Sequence, residues 1–132
     1  MPTLICYFNL DVNMAKSIMS IPQFIMFKIK GMQILHILER QMRKADNKTT
    51  REQYGFSSMA EGSEEDCKKG YDEIMDLLAD NKISDELKCN LNGRDMKFFK
   101  KMFYKGIEKI GKENSFLNIL NSYGILADIK II

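Results

Sequence analysis

Ser20–Asn47 reads SIPQFIMFKIKGMQILHILERQMRKADN, and the fold turns on how this stretch is read. Phe24, Phe27, Ile34, Leu35, Leu38 and Met42 recur at steps of three, four and seven, the spacing of one helical face. Ser20 caps the start, with Gln23 three residues on, where a capping box places its second partner. Pro22 falls in the first turn, where a missing N–H costs little. Arg43 and Lys44 close the last turn and suit the negative helix end. The first half is apolar almost all round, which predicts a central helix wrapped by others. One conflict stands. Phe24-Ile25-Met26-Phe27-Lys28-Ile29-Lys30 also reads as a strand, ended by Gly31.

Outward from this centre, Thr3–Leu10 (TLICYFNL) is β-branched and aromatic and leans toward a strand. A short helix fits residues 13–19. After the centre, residues 48–62 are polar and turn-rich, and the reading there is a mobile loop. Ser63 caps the next helix, with Asp66 in the capping box and Glu64, Glu65 and Asp66 in its first turn. Ser84 starts a short helix over residues 85–90, and Asn92-Gly93 marks a tight turn. Met96, Phe99, Phe103 and Ile110 give residues 96–112 a helical stripe, with lysines on the other side. A last helix follows from Asn114 or Ser115 to Gly124. The tail ILADIKII is apolar and needs cover from this domain or from a second copy.

The expected fold is all-α: residues 1–132 as one domain, a compact bundle of four to six helices around residues 22–44. The alternative is α+β, with strands at 3–10, 24–30 and 125–132. A chain of 132 residues suffices for one core without disulfides or metals.

Several chemistries lack their residues. His36 is the only histidine, so histidine-pair zinc sites are excluded. Cys6, Cys67 and Cys89 are odd in number and widely spaced, which reads as reduced thiols in a cytoplasmic protein rather than a disulfide framework. No phosphate-binding glycine loop occurs. No run reaches the length and apolarity of a membrane span. No cofactor, metal or membrane is expected. His36 could serve as base to a cysteine nucleophile, and Glu39 could pair with Asp72 or Glu73 although no spacing brings them together; the balance is against an enzyme.

Charge is uneven. Residues 21–60 carry a net +4, residues 61–95 a net −6 and residues 96–132 a net +4. That layout suits a surface that steers a partner. The function expected is non-enzymatic: a regulatory protein–protein interaction module, self-associating as a homodimer, working through a Met- and Phe-rich apolar groove or interface. Its contact residues are expected to be Phe98, Phe99, Met102, Phe103, Ile131 and Ile132. The alternative is nucleic-acid binding by the basic face of residues 96–112, with Lys97, Lys100, Lys101, Lys105, Lys109, Arg43 and Lys44 on phosphates.

Two family resemblances bear on this. Glu86-Leu87, Asn92-Gly93-Arg94 and Phe98-Phe99 resemble the first signature of Bcl-2-type proteins, without its tryptophan. That likeness implies a groove for helical ligands. Lys30-Gly31-Met32-Gln33, His36, Arg40, Thr50-Arg51-Glu52 and Tyr54 are similar to the N-terminal region of plasmid mobilisation relaxases. The histidine-rich metal motif of those enzymes is absent here.

Overall fold

A computed structural model describes residues 1–44, 47–79, 86, 91–107, 120 and 123–132. In chain order the elements are β1 (Thr3–Leu10), α1 (Val12–Ile18), α2 (Ile21–Lys44), β2 (Lys48–Glu52), β3 (Gly55–Glu61), α3 (Glu64–Ala79), α4 (Gly93–Ile107) and β4 (Ile125–Ile131). The fold is therefore α+β, and the all-α bundle is corrected. The four strands form one sheet in the order β2-β3-β1-β4, with every neighbouring pair antiparallel. β1 and β2 thus run parallel without touching, as do β3 and β4. This is the split β-α-β topology, with helices carrying each crossover.

β1 is central because its alternate residues are apolar on the side the helices cover. Leu4, Cys6, Phe8 and Leu10 are all buried. They stand in rows with Phe56 and Ser58 of β3 and with Ile125, Ala127 and Ile129 of β4. The opposite face carries Tyr7, Ser57, Met59, Leu126, Asp128 and Lys130, of which Met59, Leu126, Asp128 and Lys130 are exposed. α2 packs on β1, β2 and β3, and α3 on β1 and β4.

Residues 24–30 belong to α2 and not to a strand. Phe27, Ile34, Leu35, Leu38 and Met42 face the sheet and are buried. Gly31 does not end a strand: a Cβ there would stand 2.5 Å from Leu10 Cδ2, so the glycine lets the helix settle on the end of β1. The Ser20 capping box forms as the spacing requires, with Ser20 N–H donating to Gln23 Oε1 at 2.9 Å. Residues 48–62, expected as a mobile loop, are the β2–β3 hairpin. The turn expected at Asn92-Gly93 is a helix start: Asn92 Oδ1 accepts from Asp95 N at 2.9 Å. The helices expected at 85–90 and from Asn114 onward lie outside the described residues, except at Glu86, Leu120, Tyr123 and Gly124.

An aromatic cluster joins α2 to α4. The Phe27 ring lies 6.5 Å from Phe99 and 5.3 Å from Phe103, and Phe99 meets Tyr123 edge-on at 5.5 Å. Lys30 Nζ also reaches the buried Asp95 carboxylate at 3.2 Å, tying α2 to the cap of α4. Gly124, at φ +70°, brings the chain from this cluster into β4, and a Cβ there would lie 2.5 Å from Phe103 Cζ and 2.7 Å from Phe27 Cε2. Gly124→Ala combines a left-handed backbone with two ring collisions, so the expected loss is about 2–4 kcal/mol. The midpoint of urea unfolding against the wild type measures it.

Candidate interaction surface

The outward side of α2 divides into an apolar half and a polar half. Ile21, Ile25 and Ile29, spaced by four, are 78%, 49% and 56% exposed. Ile18 at the end of α1 and Met26 beside Ile25 are also exposed. A large apolar residue exposed singly is ordinary, but a row of them along one corner is not. From Val12 to Leu38 the chain contains no Asp or Glu. The ammonium groups of Lys16 and Lys28 stand 5.9 and 5.4 Å from the centre of the Phe24 ring.

The ridge runs on into a groove of about 520 Å³, lined among the described residues by Ile29, Met32, Gln33, His36, Ile37 and Arg40. Beyond it lies a polar clasp. Glu39 is 2% exposed although it belongs to the charged half of the helix. Its Oε1 meets Arg43 at 3.0 Å and Arg51 of β2 at 3.5 Å. Arg43 Nε donates to Thr49 Oγ1 at 3.1 Å, and Arg51 Nη2 donates to His36 Nδ1 at 2.7 Å. Arg40 and Gln41 both hold the Glu86 carboxylate. The contacts of Glu39, Arg43 and His36 with Thr49 and Arg51 fasten β2, an edge strand without apolar side chains, to α2.

The structure places Phe99 and Phe103 in the core, with Phe98 and Met102 partly buried against it. Ile131 and Ile132 are exposed at the end of β4. Lys97, Lys100, Lys101 and Lys44 are exposed, while Arg43 is engaged in the clasp. Lys105 and Lys109 have no described side chains. The sequence reading missed the ridge because it assigned every apolar residue of α2 to burial. The signal was present in the width of the stripe, which exceeds what one buried face can use.

Among the described residues no three His, Cys, Asp or Glu side chains are placed to hold a metal ion. No helix among them is long and apolar enough to cross a membrane. Cys6 is fully buried, and burial, with the Asp128 carboxylate second, pushes its thiol up to about 12 from the usual value near 9. The raised value means that an unfolded chain loses this proton first, so the thiol's contribution to stability falls as pH rises through the window from about 9 to about 12.

Two outcomes follow from this chemistry. Iodoacetamide at mildly alkaline pH should label Cys6 only as fast as the protein unfolds, which peptide mass spectrometry with added denaturant checks. Glu39→Gln should cost about 1–2 kcal/mol in urea unfolding, less than a fully buried pair because both arginines are more than half exposed. No family model matches the chain, and neither any curated protein nor any solved structure matches it, so the surface itself carries the functional reading.

Proposed function

We propose that this protein is a non-enzymatic, cytoplasmic binding module whose contact surface is the outward side of α1 and α2. The observation that carries the reading is the exposed row Ile18, Ile21, Ile25 and Ile29, continuous along α2 with a Met32-lined groove. Such a surface fits a partner segment that places apolar side chains along the row, in the manner of a helix laid in a groove. The absence of acids from Val12 to Leu38, with Lys16 and Lys28 beside the row, fits acidic groups at the rim of that segment. A bilayer would meet the row but leave the groove unfilled, which favours a protein partner.

This reading places the contacts on α1 and α2. Of the contacts expected from the sequence, Phe99 and Phe103 are buried in the core, Phe98 and Met102 are partly buried, and Ile131 and Ile132 are exposed. Lys97 and Lys101, exposed on α4, are the groups that nucleic-acid binding would use.

A photo-crosslinking amino acid at Ile25, compared with one at the exposed Lys68 of α3, tests the reading in cells that make the protein. The expected result is a protein adduct of discrete mass at position 25, lost when Ile21→Glu is added and absent at position 68. Both positions are exposed, so each variant should stay within about 0.5 kcal/mol of the wild type in urea unfolding. Equal labelling at the two positions, lipid adducts alone, or an adduct that nuclease removes would overturn it.

A further inference from the structure

The two edges of the sheet are unlike. β2 (Lys48–Glu52) is five residues long, reads KTTRE, and is strapped to α2 by the clasp. Short length and charge are what keep an edge from pairing with other chains. β4 is seven residues long and carries only Asp128 and Lys130 as charges.

The direction of its backbone groups follows from the ladder. Thr3 and Ile132 exchange both hydrogen bonds, at 2.7 and 2.9 Å. Such exchange alternates along an antiparallel pair, so Lys130, Asp128 and Leu126 also turn their N–H and C=O toward β1. Ile125, Ala127, Ile129 and Ile131 therefore turn theirs outward, and among the described residues nothing pairs with that row. Leu126, Ile131 and Ile132 leave apolar surface exposed along the same strand.

A second copy of β4, laid antiparallel, must set outward-facing residues against outward-facing residues. Registers centred on Ala127, Asp128, Ile129 and Lys130 all satisfy this, and the first sets Asp128 opposite Leu126 and Lys130 opposite Gly124, leaving both charges without a partner on the other copy. Centring on Asp128 places that carboxylate opposite itself, and centring on Lys130 does the same with ammonium groups. Like charges directly opposite are destabilising. Centring on Ile129 places Asp128 of each copy opposite Lys130 of the other, Ile129 opposite Ile129, Ala127 opposite Ile131 and Leu126 opposite Ile132. Asp128 and Lys130 already attract within one strand, at 3.3 Å, and stay half exposed. In this register alone the charge pattern is self-complementary about a two-fold axis.

We propose that two copies join edge to edge through β4, antiparallel and centred on Ile129, making one continuous sheet from two four-stranded ones. The interface uses a strand and an open sheet edge, so it leaves the α1–α2 surface free for a different partner.

Light scattering of the purified protein over a concentration series tests the assembly. The wild type should pass from 15.3 kDa to twice that mass as concentration rises. Asp128→Lys alone and Lys130→Asp alone should each weaken the dimer by about tenfold or more, because each sets like charges opposite one another. The double exchange, Asp128→Lys with Lys130→Asp, should restore it, since complementarity returns with the signs reversed. Both side chains are exposed, so circular dichroism should show each variant folded.

The register has its own readout. Opposed residues of a hydrogen-bonded antiparallel pair lie about 5.5 Å apart between Cα atoms, within disulfide reach. Cys6 stands opposite Ile129 in the same chain, so the test is made with Cys6→Ser in place: Ile129→Cys should then form an oxidised dimer, and Thr50→Cys on the other edge should not. A wild type that stays monomeric at every concentration overturns the proposal. So does a dimer indifferent to the single reversals, or one that Ile25→Glu abolishes while the reversals leave it intact.

Discussion

The packing of α2 across the covered face of β1 is the contact on which the other elements depend. Phe27, Ile34, Leu35 and Leu38 supply one side of it, and Cys6, Phe8 and Leu10 the other. Their burial is the main apolar gain available to a chain of this size. It also sets positions elsewhere. Once α2 lies on the sheet, Phe27 fixes where Phe99 and Phe103 of α4 pack, and Glu39 fixes where Arg51 holds β2. At Gly31 the helix passes close over Leu10, and a Cβ there would push the Leu10 side chain aside.

That single covered face also explains how much of the fold was legible. The 3.6-residue period of α2 and the capping residues Ser20 and Ser63 were correctly legible because helix signals are local. The strands at Thr3–Leu10 and Ile125–Ile131 were visible as β-branched runs, yet their partners were not, since pairing joins residues far apart in sequence. The β2–β3 hairpin was hidden. KTTRE lies on an edge and has little apolar content. In β3 the covered face includes Ser58, whose buried Oγ has no hydrogen-bond partner among the described residues. A polar residue on a buried face breaks the alternation that identifies a strand.

The proposed interaction surface was less legible than the helices. Exposed and buried apolar residues are chemically the same, and only packing separates Ile25 from Phe27. Phe98, Phe99, Met102 and Phe103 form the denser apolar cluster, which is why a sequence reading prefers them. Density of that kind is more often a core than a binding face, and here the cluster closes the space between α2 and α4. The sequence did carry one sign of the surface: an acid-free stretch from Val12 to Leu38 with more apolar positions than one buried face can use.

The central place of β1 has a consequence for how the molecule assembles itself. β1 is the first strand in the chain, but its two neighbours are β3 and β4, and its pairing to β4 joins Leu10 to Ile125 and Leu4 to Ile131. A sheet whose middle strand waits for the most distant one has high contact order, so loop closure precedes much of the reward. Until β4 arrives, the edge of β1 beside Leu4, Cys6 and Phe8 is an unpaired apolar template. The folding chain is thus most prone to association at the strand that the finished molecule protects best.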